Sequence, residues 1–118
     1  LMRADKGFFF FPEIDIGIPF LPGMIAFLKK AIPYDTFNEM ALTGKRCTAK
    51  EMAACGVLVK ACDSGETLIA ETMAFAKIFQ KKRGVFGEMK RRLHAGIVEV
   101  IDREDPKYIE PLKLFWKD

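Results

Sequence analysis

The sequence predicts an α/β domain that is mostly helical, with one or two short strands. Three observations carry that class. Half of the 118 residues are hydrophobic and 30% are charged, a balance that supports a folded core rather than a disordered chain. Two long stretches, 66–80 and 85–101, repeat apolar letters at helical spacing. Strand-like runs bounded by turn residues are confined to 8–11 and 57–62. The length suits one domain, or a piece of one, and is too short for two ordinary ones.

Taken in order, Phe8 to Phe11 suit a strand buried on both sides. Pro12 removes an amide that a central strand would need, so the strand stops or reaches an edge there. From Glu13 to Ile18 the letters alternate, which predicts an extended segment. Glu13, Asp15 and Gly17 then fall on an open polar side, and Ile14, Ile16 and Ile18 on the core side. Pro19, Pro22 and Gly23 punctuate a turn, and "GMIAFLKKA" reads as a short helix that Pro33 ends. Asp35 can cap a helix over "TFNEMAL", with Phe37, Met40 and Ala41 on one stripe and Gly44 as breaker.

Thr48 and Glu51 then make a T-x-x-E capping box, with Gly56 as the C-terminal cap. "VLVKAC" (57–62) is β-branched and bounded by Gly56 and Asp63-Ser64-Gly65, so it predicts a short strand. Helix 66–80 carries Leu68, Thr72, Phe75, Ala76 and Phe79 on one face. Helix 85–101 does the same with Phe86, Met89, Leu93, Ile97, Val100 and Ile101. After "DREDP", residues 107–117 form a last amphipathic segment with Ile109, Leu112, Phe115 and Trp116 on its apolar side, Pro111 being discordant.

Composition excludes several classes. A net charge of +3 from nineteen basic and sixteen acidic side chains does not argue for nucleic acid or an anionic membrane. No run approaches the roughly 20 apolar residues of a membrane span. Cys47, Cys55 and Cys62 form no CxxC pair and lie far from the single His94, so no metal site is expected; a reduced, intracellular chain with buried, unreactive thiols fits best. The chain opens on Leu1 without a signal peptide, and that start suggests a segment of something longer.

The stretches "MRADKGFFFFPEIDIG" and "ALTGKRCTAKEMAACGVLVKAC", separated by a helix, resemble the enoyl-CoA hydratase/isomerase (crotonase) family, specifically its C-terminal half. Pro12-Glu13-Ile14-Asp15-Ile16-Gly17, then Leu42-Thr43-Gly44-Lys45-Arg46 with Glu51 and Ala53, then Cys55-Gly56-Val57-Leu58-Val59 fill the family pattern in order. The resemblance implies an α/β crotonase-like fold in which 1–63 end the core and carry the catalytic glutamate segment, and 64–118 form a helical oligomerisation region. It also implies a missing N-terminal half. That half holds the two backbone amides of the family's oxyanion hole and, in hydratases, a second glutamate.

By resemblance, Glu13 occupies the position of the family's catalytic glutamate. A carboxylate among phenylalanines and isoleucines is poorly solvated, which suits it to exchange protons. Its local letters also fit a strand end at the surface, or a pair with a lysine such as Lys6. Asp15 fits a solvated turn residue better than a catalytic one. Hydratases of the family follow their glutamate with a Gly-rich loop ending in T-Q-R-L, whereas this chain reads "IGIPFLPGMIAFLKKAIP". The replacement looks like that of plant peroxisomal-type enoyl-CoA delta isomerases.

A Δ3,Δ2-enoyl-CoA isomerase acting on a fatty acyl-CoA thioester is therefore expected. Enoyl-CoA hydratase, or a non-catalytic oligomerisation or interaction fragment, is the alternative. Gly17, Phe20, Leu21 and Met24 are the expected substrate-binding residues, three of which could wall a dry pocket or simply pack. No metal or redox cofactor is implied, coenzyme A arriving with the substrate. Lys81-Lys82-Arg83, Lys90-Arg91-Arg92, Lys113 and Lys117 fit solvated faces or contacts to coenzyme A phosphates; His94 fits a surface or an interface.

The isolated chain is expected to be inactive, with a homotrimer, a hexamer or a separate N-terminal half as its partners. Cytoplasm is the default location, since the C-terminal "FWKD" is not the S-K-L type address; peroxisome and mitochondrion stay open.

Overall fold

The computed structural model describes residues 1–111 and 113–116. Its elements are β1 (Met2–Arg3), α1 (Glu13–Ile16), α2 (Pro22–Ala31), α3 (Tyr34–Thr43), α4 (Ala49–Ala54), β2 (Ala61–Cys62), α5 (Gly65–Lys77), α6 (Arg83–Glu104) and α7 (Pro106–Ile109). The strands pair in parallel, Met2 opposite Ala61 and Arg3 opposite Cys62. A parallel pair needs a long crossover, and the helices between the strands supply it. The expected mostly helical chain with short strands is what forms.

The phenylalanine run departs from expectation. It is not a strand buried on both sides: Phe9 makes a single antiparallel bridge to Cys47, exchanging hydrogen bonds of 2.8 and 2.9 Å. Alternation explains the difference, because Phe9 and Phe11 turn inward, their rings meeting edge to face at 5.6 Å. Phe8 is exposed, and the ring of Phe10 sits beneath the Arg46 guanidinium at 4.9 Å. One face of the segment is core and the other is not.

The extended reading of Glu13 to Ile18 is also overturned. Residues 13–16 form one helical turn, entered from Pro12 and closed at Gly17 in the left-handed region (φ 70°). Four residues cannot distinguish a period of 2 from one of 3.6, and acids in a first turn oppose the helix dipole favourably. As a result Ile14 and Ile16 point to solvent rather than to the core. Farther along, Asp35 lies in the first turn of α3 but does not cap it; Pro33 holds the N-cap position. The Thr48–Glu51 box forms with both reciprocal bonds, at 3.2 and 2.7 Å.

Of the 57–62 run, only Ala61–Cys62 pairs. The final amphipathic segment shrinks to the one-turn α7; Leu112 and Lys117 lie outside the described residues.

The core is small. Phe11, Ile32, Phe37, Met40, Cys47 and Met52 form one buried cluster, against which Phe20, Ile25, Leu28, Val57 and Leu58 pack. Phe11 lies at its centre, its ring meeting those of Phe20 and Phe37 near-perpendicularly at 5.4 and 5.9 Å. By contrast, α5 and α6 contain no buried residue. They meet at a ladder of Phe75, Phe79 and Phe86, and α6 returns to pack its C-terminal end on α2. The radius of gyration, 17.0 Å, exceeds the roughly 13–14 Å of a compact domain this long.

Candidate active site

Glu13 is held by the elements around it. The Phe9–Cys47 bridge and buried Phe11 fix the chain before it, and the α1 turn fixes its backbone through bonds from Asp15 and Ile16 amides to the Pro12 carbonyl. The turn in turn rests on α3. A Cβ on Gly44, which caps α3 at φ 68°, would lie 2.7 Å from Asp15 Oδ2, so only glycine lets the two approach. The two sequence motifs around Glu13 and Gly44 thus meet in space. Thr43 supports the junction by donating to the Glu39 carbonyl at 2.5 Å and accepting from the Lys45 amide at 3.2 Å.

Two clefts open on either side of Glu13. One, of about 360 Å³, is lined by Phe11, Glu13, Phe20, Gly23, Met24, Phe27, Leu28, Ile101 and Asp105. The other, of about 430 Å³, runs past Glu13, Gly17, Phe20, Ile25, Leu42 and Trp116. The Trp116 amide donates to the Gly17 carbonyl at 2.9 Å, closing that end. Glu13 and Phe20 are common to both. Glu13 Oε2 is buried and has no hydrogen-bond partner, and among the described residues neither Lys6 nor another cation pairs with it. A buried polar oxygen left unpaired costs about 1–3 kcal/mol, so such an atom in a cleft marks a place where a hydrogen-bond donor can be received.

Among the expected wall residues, Phe20 and Met24 line the first cleft, and Gly17 and Phe20 the second. Leu21 lines neither and stands at the N-cap of α2. Arg91 and Arg92 pair with Glu88 on their own helix, and Arg83 and Lys90 lie over the Phe86 ring. Half-buried His94 contacts Lys30 across the α2–α6 junction. Burial pushes the Cys47 thiol up from its ordinary range, and among the described residues no cluster is arranged to hold a metal ion.

Sequence reasoning missed Asp105. It is the buried charged residue among the described side chains, 7% exposed, and its Oδ1 accepts the Gly23 amide at 2.7 Å across 82 positions. The signal was present in α2 itself: a helix beginning Leu21-Pro22-Gly23 has no side chain able to cap its own N-terminus, so an acceptor must come from elsewhere.

The model of the Enoyl-CoA hydratase/isomerase family matches residues 1–105, which contain both clefts' walls except Trp116. The chain belongs to the enoyl-CoA hydratase/isomerase family. Within it, the chain is 26% identical over 109 residues to Enoyl-CoA delta isomerase 3 of Arabidopsis thaliana, a match covering 86% of this chain and 44% of that relative. The chain therefore spans less than half the length of this curated family member. No solved structure matches it.

Proposed function

We propose that this chain is the C-terminal portion of a Δ3,Δ2-enoyl-CoA isomerase acting on fatty acyl-CoA, with Glu13 as the group that moves the proton. The observation that carries the reading is the unpartnered Glu13 Oε2 between two largely apolar clefts. Glu13 takes a proton from C2 of a 3-enoyl thioester as the C2–H bond breaks and its electron pair spreads toward the thioester oxygen. The same carboxyl returns the proton to C4, and the double bond moves from C3–C4 to C2–C3. Apolar walls favour return over loss to water.

The donors that stabilise the thioester oxygen belong, in this reading, to an N-terminal half outside this chain. Coenzyme A arrives with the substrate, no other cofactor takes part, and the chain alone is inactive. Residues 1–63 end the core and 64–118 serve assembly into a trimer or hexamer.

The test combines the chain with an N-terminal half and follows a 3-enoyl-CoA. Glu13→Gln is expected to lower turnover by about 10²–10⁴-fold, the usual weight of a general base. Turnover indifferent to that change would remove Glu13 from the mechanism. In heavy water, an isomerase returns a substantial share of product without deuterium, whereas a hydratase leaves the 3-enoyl-CoA unchanged and adds water to a 2-enoyl-CoA to give the 3-hydroxyacyl product.

Exposed Ile69, Met73, Val85, Met89 and Leu93 favour a second reading, a non-catalytic assembly module. A large solution mass for the chain together with no turnover in the combined sample supports it.

A further inference from the structure

The Glu13 cleft has one wall that the catalytic reading does not use. Gly23, on α2, faces Ile101 of α6 and Asp105, the C-cap residue one turn farther on: a Cβ built on Gly23 would stand 2.4 Å from Ile101 Cγ1 and 2.6 Å from Asp105 Oδ2. The helices therefore meet here as closely as glycine permits. Asp105 fixes that approach by accepting the Gly23 amide, one of the donors a helix start leaves unpaired. Beyond the junction, Met24 and Phe27 stay exposed along the cleft, and Ile101, 41% exposed, shapes its α6 side. Large apolar side chains opening into a cleft beside an unpartnered carboxylate suit an aliphatic chain attached to a reactive head.

We infer that α6 is the wall that sets acyl-chain length: Ile101 limits the room for the alkyl tail of the thioester, and Asp105 is the positioning residue that holds α2 and α6 at the spacing this requires. The inference rests on the isomerase reading for the identity of the ligand. It assigns to α6 a role in selecting substrate, separate from any role in assembly. Asp105 does not touch the reacting carbons; it acts through Gly23 and the α2 wall.

Calorimetry of this chain with butanoyl-, octanoyl- and hexadecanoyl-CoA tests it. The wild-type chain is expected to bind octanoyl-CoA more tightly than butanoyl-CoA. Ile101→Ala, which opens the α6 side of the cleft without crowding Gly23, is expected to tighten hexadecanoyl-CoA relative to octanoyl-CoA by roughly tenfold, the scale of discrimination an apolar pocket achieves per methylene or more. Butanoyl-CoA, too short to reach that side, should change least. Asp105→Ala, which releases α2 from the end of α6, should also shift the ratio of octanoyl- to hexadecanoyl-CoA affinity, and Asp105→Asn, whose amide oxygen still accepts the Gly23 amide, should keep the wild-type ratio. Should Asp105→Ala unfold the chain, Ile101→Ala decides alone.

An equal change at all three lengths, or none, overturns the assignment of α6 while leaving the isomerase reading standing. Binding of no thioester at all likewise removes the role given to α6, and the turnover test with the N-terminal half decides the isomerase reading by itself.

Discussion

Between Phe9 and Leu58 apolar side chains build one shared core, although Ile14, Ile16, Phe27 and Leu42 stay exposed; along α5 and α6 no side chain is buried. The first region buries Met40 and Met52 completely and stacks Phe11 between Phe9, Phe20 and Phe37. In the second, Leu93 is 66% exposed and Met73 60%, although both lie on well-formed amphipathic helices. Helical periodicity thus says that a face is apolar, not that anything covers it. In this molecule the cohesion is concentrated in the first region, and the second touches the site only through the last turn of α6.

The largest expected effect tests that contrast directly. Met40→Ala or Met52→Ala should cost about 2–5 kcal/mol in urea unfolding, the range for deleting a fully buried side chain. Leu93→Ala should stay within about 0.5 kcal/mol, as exposed substitutions do. A comparable loss at Leu93 would break the comparison by showing that α6 is covered in solution. Gly44→Ala comes next: a side chain at φ 68° costs about 1–2 kcal/mol, and its clash with Asp15 adds to that. Because Asp15 lies on the Glu13 turn, the same change should lower turnover of the combined enzyme even where the protein stays folded.

Smaller effects sharpen the picture within the core region. Thr48→Ala removes a formed cap and should lower stability by about 1 kcal/mol, read from the melting midpoint. The Thr48 backbone amide holds the Glu51 carboxylate below its ordinary range. That contribution is present above the unfolded-state pKa of about 4.3 and is lost as pH falls through the lower folded value. The stability difference between the wild-type chain and Glu51→Ala should therefore shrink on acidification, as melting curves across pH would reveal. Smallest of all is a rate difference: iodoacetamide should modify half-buried Cys55 before Cys47, whose raised pKa and burial leave little thiolate.

What was legible in the letters is what local chemistry decides. The Thr48–Glu51 box, the two long helices and the Gly44 stop depend on neighbours a few residues apart, and each forms where the pattern sets it. Glu13 could be singled out by motif, but the shape of its segment could not, since one turn leaves no room for a period to show. The strand Met2–Arg3 was equally invisible, being defined by its partner Ala61–Cys62 rather than by its own two residues. Asp105 looked like part of a polar break because its hydrogen-bond partner stands 82 positions away. The α6 side of the cleft, Ile101 together with Asp105, was hidden for the same reason.

That separation also bears on the order in which the molecule assembles. Contacts within Phe9–Leu58 close short loops, whereas joining Gly23 to Asp105 requires most of the chain to be gathered first, at a correspondingly larger entropic cost. An unfolding or newly made chain is accordingly expected to pass through a form whose interior is built while the cleft beside Glu13 still gapes. Amide exchange should report it, with the Gly23 N–H yielding to deuterium well before that of Gly44, which is tied to Met40 inside a single helix end.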